Sequence, residues 1–264
     1  MDIFQSVILG LVQGATEFLP VSSSGHLILM QNVLGVGTVP LLYDVMLHVG
    51  TLVAVVIVLW KEIVALLSHP IKNKLGMLII ATIPAIAMTL ISNALFPEGF
   101  TAVLNGEYLA YGFFATAAVL VISESIAGRI EARKSVHLKE AVVMGVMQAA
   151  AIIPGLSRSG STISGGLFMG VKRETAAKFA FLMSIPAILG GLVLGVKDVA
   201  DNGMGDVTVL PLVIGVIVAF VSGFLAIKFM LSLISKYKLY GFAVYVAALG
   251  AFLLIDQNIR HLLP

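Results

Sequence analysis

Residues 13–26 read QGATEFLPVSSSGH, and residues 148–162 read QAAAIIPGLSRSGST. Each stretch interrupts an apolar region, 3–34 in the first case and 140–171 in the second. Neither half of either region is long enough to cross a bilayer, which takes roughly 20 apolar residues. Each region therefore predicts a re-entrant helical hairpin: in, a turn at membrane depth, and back out. Irregular backbone at that depth is tolerated only where protein packs around it or where it lines a wet cavity.

The rest of the chain demands lipid. Of its 264 residues 59% are hydrophobic and only 11% are charged, whereas a soluble domain is about 25% charged. Mean hydropathy is +1.06. Six stretches predict spans, near 41–60, 75–96, 108–127, 175–197, 208–234 and 239–257. The expected fold is an all-α polytopic membrane protein: six transmembrane helices plus two re-entrant hairpins, in a single membrane domain over 1–264. A net charge of +2 with no basic patch sets nucleic acid aside. Absence of cysteine excludes disulfides, thiolate metal sites and thiol catalysis. Met1–Asp2–Ile3 lacks the basic start of a cleavable signal, and the apolar run from Ile3 ends in Gln13 and Glu17.

Charge sorts by connection. Lys61, Lys72 and Lys74 lie between the first two spans; Arg129, Arg133, Lys134 and Lys139 precede the second hairpin. Lys172, Arg173 and Lys178 follow that hairpin, and Lys228, Lys236 and Lys238 close the fifth span. The opposite connections carry Glu98, Glu107, Asp198, Asp201 and Asp206, with Lys197 the one base. Basic loops face the cytoplasm. The first hairpin then opens from outside, the second from inside, and both termini lie outside.

An offset of 135 residues aligns the halves. Gly10 meets Gly145, Gln13 meets Gln148, Ser22 meets Ser157, Ser24 meets Ser159, Gly25 meets Gly160, and Gly35–Val36 meets Gly170–Val171. Each half is a hairpin followed by three spans, 1–130 and 136–264. An odd span count turns the second half upside down, which makes an inverted-topology repeat. The two tips should then meet near mid-membrane in one composite site.

The tips carry chemistry. Gln13 and Glu17 share a helix face at a spacing of four. Pro20 ends that helix, because the residue before a proline avoids the helical region. Ser22, Ser23 and Ser24 can then cap the next helix. The second stretch repeats the design with Pro154, Gly155 and Ser157, and adds Arg158. A helix N-terminus binds anions, and an arginine fork suits phosphate. At membrane depth an arginine must be paired or hydrated. Glu17 and His26 supply a carboxylate and an imidazole for phosphoryl hydrolysis, and a serine hydroxyl can act as nucleophile. Gln13 and Gln148 read as structural. Asp44, His48 and Glu124 read as interface or capping residues at span ends, and Gly190, Gly191 and Gly195 as close helix packing.

These residues resemble a known family. Gln13-x-x-x-Glu17, the following Phe-Leu-Pro-Val-Ser-Ser-Ser-Gly-His26, and Pro154-Gly-Leu-Ser-Arg-Ser-Gly-Ser-Thr162 are similar to the two signature motifs of the undecaprenyl pyrophosphate phosphatases, the bacitracin-resistance phosphatases. The resemblance covers essentially the whole chain. It implies removal of the terminal phosphate of undecaprenyl pyrophosphate, a membrane-lipid substrate, to regenerate the carrier of cell-wall precursors. It also implies a divalent cation, Mg²⁺ or Ca²⁺, and a site facing outward across a bacterial plasma membrane. By matching positions it implies Glu17, Ser22, Ser23, His26, Ser157, Arg158, Ser159 and Thr162 as site residues. Gly160 belongs to the same motif and to the substrate-binding set. Position 13 is Glu or Gln in the family; Gln13 leaves Glu17 as the carboxylate for metal. Among roles, Ser23 is the expected nucleophile with His26 as its base, water being the rival. Arg158, the tip N–H groups and Thr162 are expected to hold the pyrophosphate. A transporter or flippase of a polyprenyl phosphate is the alternative function, since broken helices in inverted repeats are a transporter feature. A homodimer is compatible with either.

Overall fold

Asp2 caps the first helix of a computed structural model that describes residues 1–37, 39–70, 75–95, 108–129, 132–203 and 207–257. Lys72, Lys74, Glu98, Glu107 and Asp206 lie outside the described residues. The helices run α1 Ile3–Glu17, α2 Ser23–Val33, α3 Leu41–Val58, α4 Trp60–Ser68, α5 Leu75–Leu95 and α6 Leu109–Ala127. They continue with α7 Leu138–Ala150, α8 Arg158–Phe168, α9 Arg173–Asn202, α10 Val209–Ile234 and α11 Tyr240–Ile255. Among the described residues the nearest thing to a strand is one isolated bridge, Arg133 to Val171.

The all-α polytopic class is what the structure shows. Five helices, α3, α5, α6, α9 and α10, are long and apolar enough to cross a membrane. The sixth predicted span, 239–257, is shorter than expected. Its helix α11 has 16 residues, or about 24 Å of rise. The span expected near 41–60 is present as α3, two residues shorter. Its helix stops at Val58, because Leu59 leaves the helical region with φ −100° and ψ 23°. A separate helix α4 then starts at Trp60. None of its residues is buried, and Trp60, Val64 and Leu67 are exposed. Exposed apolar residues beside Lys61 and Glu62 suit a helix lying in the membrane interface.

The four helices α1, α2, α7 and α8 have 15, 11, 13 and 11 residues. Each is too short to span alone. They pair through tight connections, 18–22 and 151–157, and pack reciprocally. The α1 helix lies against α10 of the other half, and α7 lies against α5. Small residues let the backbones close. A Cβ on Gly10 would stand 2.4 Å from the Gly215 carbonyl oxygen, and one on Gly145 would stand 2.4 Å from that of Ala81. Apolar chains gain little from leaving lipid, so such close backbone packing is what associates helices there.

The basic connections gather at one end of the bundle. Buried Glu124, on α6, takes the Arg173 guanidinium that starts α9, with Nε at 3.1 Å. The same carboxylate accepts from the Leu239 N–H, 2.9 Å away, and so caps α11. Reading Glu124 as a capping residue is thus supported. Lys178 joins Glu62 of α4 at 3.3 Å to Glu174 at 3.2 Å. At the far end Thr208 donates to the Met1 carbonyl at 3.4 Å.

The glycine contacts separate two kinds of position. Gly145→Val should lower thermal stability in detergent by about 1–3 kcal/mol, the usual cost of overpacking. Gly241→Ala, with nothing within 4 Å of the added carbon, should leave the unfolding temperature level or slightly raised. Equal losses in both variants would show that close packing at Gly145 is not the cause.

Candidate active site

Two helix N-termini converge on Glu17. Ser22 is the N-cap of α2, and its hydroxyl accepts from the Gly25 N–H at 3.4 Å. Ser157 caps α8 in the same way, accepting from Gly160 at 3.0 Å. The first-turn N–H groups beyond each cap have no acceptor within their own helix, so both ends favour an anion. Ser22 holds φ 71°, the one non-glycine with positive φ among the described residues. Such backbone strain persists only where the surroundings over-determine it.

The second turn is fixed from α6. Gly155 takes φ +82°, which a residue without Cβ adopts freely. The Thr116 hydroxyl donates to the Gly155 carbonyl at 2.9 Å and accepts from the Ser157 N–H at 2.9 Å. The two tips touch directly. Ser159 donates to the Leu19 carbonyl at 2.7 Å, and a Cβ on Gly160 would lie 3.3 Å from Pro20.

Glu17, only 4% exposed, sits where the tips cross. Its Oε1 accepts from the Arg158 guanidinium. Its Oε2 accepts from Ser23 Oγ at 2.5 Å and from Gln13 Nε2 at 3.0 Å. His48 Nε2 stands 3.6 Å from the same oxygen. The His48 ring is aimed by its Nδ1–H, which donates to the Asp44 carbonyl at 2.7 Å. One guanidinium nitrogen of Arg158, Nη1, is buried with no hydrogen-bond partner. Beside this cluster lies a cavity of about 290 Å³ lined by Glu17, Ser23, Ser24, Val45, His48, Arg158 and the α9 residues Ala187, Ile188 and Gly191.

The structure brings Glu17, Ser23 and Arg158 together. His26 lies elsewhere. Its Nδ1 pairs with the Ser22 carbonyl at 2.7 Å and its Nε2 with the Tyr245 hydroxyl at 2.8 Å. Its ring also meets Phe113 edge-on. The expected Ser23–His26 pair is therefore not formed; Glu17 is the hydrogen-bond partner of Ser23. Thr162 also turns away from the cavity: its hydroxyl donates to the Arg158 and Ser159 carbonyls at 2.8 and 3.1 Å. Ser22, Ser157, Ser159 and Gly160 shape the two tips. Gln13, read as structural, orients the carboxylate. His48 was missed because a histidine at or near the end of an apolar span reads as an interface or capping residue. Its spacing of seven residues from Leu41, at the start of α3, carried no motif. Gly190 and Gly191 were misread as packing, since nothing lies within 4 Å of a Cβ on either; Gly195 does pack, on Val45 at 3.2 Å.

Among the described residues no three His, Cys, Asp or Glu cluster as a metal site. Glu17 is the one carboxylate lining this cavity. That donor set is too small for an all-protein cage. It fits a hard cation that keeps waters and substrate phosphates as its other ligands, as Mg²⁺ commonly does.

A polytopic membrane protein in which two helix N-termini, an arginine and a carboxylate–serine pair converge is the class these features define. The model of the family described as bacitracin resistance protein BacA matches residues 6–252. The chain belongs to that family. It is 43% identical to an undecaprenyl-diphosphatase of Carboxydothermus hydrogenoformans over 97% of this chain and 98% of that protein. A protein of the same name from Halothermothrix orenii is 39% identical, over 98% and 100% of the two chains. One from Treponema denticola is 41% identical, over 95% and 96%.

The Glu17–Arg158 contact should behave as a coupled pair. In a double-mutant cycle of Glu17→Gln and Arg158→Ala, thermal unfolding in detergent should give a coupling of about 1–3 kcal/mol. Strict additivity would show that the two tips are not held by this pair.

Proposed function

We propose that the chain is an undecaprenyl-diphosphatase, hydrolysing the terminal phosphate of undecaprenyl pyrophosphate to leave undecaprenyl phosphate and inorganic phosphate. The observation that carries this reading is the convergence of Arg158 and Ser23 on Glu17 between two helix N-termini. The names of the close relatives agree with it.

Glu17 occupies on Arg158 the place that a phosphate oxygen would take. Glu17 neutralises Arg158 until a pyrophosphate takes the guanidinium, whose Nη1 already lacks a partner. An arginine offers a planar pair of donors, and phosphate oxygens match it. The N–H groups of the two tips face the same charge. Arg158 moving to phosphate releases Glu17 Oε1, while Oε2 keeps the Ser23 hydroxyl.

Ser23 Oγ then attacks the terminal phosphorus. Its proton passes to Glu17, the Oγ–P bond forms, and the bridging P–O bond breaks. Undecaprenyl phosphate leaves. Water next cleaves the Ser23 phosphoester, restoring the hydroxyl and releasing inorganic phosphate. Glu17 therefore takes the base role first expected of His26, because only Glu17 touches Ser23. The transition state of such a transfer is loose, so positioning and charge neutralisation supply most of the catalysis. A divalent cation would be held by Glu17 together with substrate oxygens, and it would neutralise charge on the pyrophosphate.

The same chain reads as an inverted repeat, 1–130 and 136–264. The reciprocal packing of α1 on α10 and α7 on α5 supports that reading. With the basic end in the cytoplasm, the cavity opens toward the outer face. A transporter could use the same broken helices, but passage of an anion needs no serine hydrogen-bonded to a carboxylate.

Purified protein in detergent should release inorganic phosphate from undecaprenyl pyrophosphate when Mg²⁺ is added. Glu17→Gln, Ser23→Ala and Arg158→Ala should each lower kcat/KM about a hundredfold or more, the scale of a lost transition-state contact. His26→Ala should cost less than Ser23→Ala. Folded wild-type protein that releases no phosphate would end the hydrolase reading. A larger loss at His26 would return the base role to it.

A further inference from the structure

Gln148 is 5% exposed, and neither its amide oxygen nor its nitrogen has a hydrogen-bond partner. A buried amide without partners costs on the order of 1–3 kcal/mol. It lines a second cavity, of about 320 Å³, between α5 and α9. Gln148 marks the polar inner end. Its walls include Ile86, Leu90 and Leu194, all three exposed along the bundle surface, together with Thr82, Thr89 and Asn93 of α5. The cavity adjoins the catalytic cavity, with Ala187 and Gly191 lining both.

The opening is specific to one half. At the 135-residue offset the counterpart of the α5–α9 junction is α10 against α3. That junction is closed, with Gly50 on the Val216 carbonyl and Gly223 on Thr51. The residues differ accordingly. Gly190 and Gly191 correspond to Val55 and Val56, and Ala85 and Thr89 correspond to Phe220 and Phe224. Val55 is fully buried, and the two phenylalanines pack against the core. Small residues on both walls of the α5–α9 junction leave empty what larger ones fill in its counterpart.

From this we infer that the α5–α9 cavity is the subsite for the chain-bearing end of the substrate. The Gln148 amide donates to the phosphate that carries the chain, and the first isoprene units lie over Gly190, Ala85 and Thr89. The inference rests on the diphosphatase reading for the identity of the head group. The occupant's shape follows from the cavity itself: a buried amide at Gln148, a mainly apolar lining that borders the catalytic cavity at Ala187 and Gly191, and exposed Ile86, Leu90 and Leu194 where a long tail can pass into lipid.

The test compares farnesyl diphosphate with methyl diphosphate on the full-length protein in detergent. Ala85→Phe and Thr89→Phe, on one wall, and Gly190→Phe, on the other, restore bulk. Each should lower the ratio of kcat/KM for farnesyl over methyl diphosphate about tenfold or more, as expected when an apolar pocket loses room. Gln148→Leu should instead lower kcat/KM for both substrates and leave their ratio level. A ratio that stays level in all three Phe variants overturns the assignment. A benzophenone-bearing farnesyl diphosphate provides a readout independent of turnover. It should label α5 or α9 in the wild type and lose that label in Thr89→Phe. If no diphosphate is hydrolysed, the diphosphatase reading fails, and the labelling alone decides the groove. Label confined to other helices overturns it.

Discussion

One buried carboxylate organises this protein. Glu17 stands where two broken helices meet, in surroundings that would strongly disfavour an isolated charge. Its charge is compensated from the opposite tip by Arg158, and its second oxygen is filled by Ser23 and Gln13. The rest of the centre follows from that requirement. The tips must touch, so Gly160 lies under Pro20 and Ser159 bonds the Leu19 carbonyl. The turns must be rigid, so Thr116 clamps one of them and Ser22 accepts a strained φ in the other. The first helix of each pair must lie close to a span, so Gly10 and Gly145 stand at backbone contact.

Much of this was legible because lipid simplifies the code. A bilayer allows few spanning structures, so apolar length located the long helices, and interruptions in it located the tips. Polar residues that lipid would penalise named Glu17 and Arg158 directly. What failed was local. The break at Leu59 and the helix α4 depend on backbone geometry that no proline or glycine announces. The sequence favoured His26 over His48 through its motif alone, although each sits in a helix with its Nδ1 on the carbonyl four residues back. Tertiary packing alone decides that one ring turns to Tyr245 and the other to Glu17. Gly190 and Gly191 show the same ambiguity: a glycine pair in a span marks either close approach or open room, and the neighbouring helix decides which.

The repeat accounts for the frame but not for the chemistry. At the 135-residue offset Ser23 corresponds to Arg158, and each is the first residue of its helix. Both positions reach Glu17, Ser23 at one carboxylate oxygen and Arg158 at the other. Identical residues there would give either two hydroxyls with no phosphate clamp or two guanidinium groups with nothing to attack. Glu17 corresponds to Ile152, so only one carboxylate occupies the crossing. Gln13 has Glu17 to bond, whereas Gln148 has an isoleucine at the equivalent place and its amide has no hydrogen-bond partner. Divergence at these few positions turns a symmetric scaffold into a directional site. In the proposed reaction one half presents the nucleophile Ser23 and its base Glu17, and the other presents Arg158 to hold the phosphate.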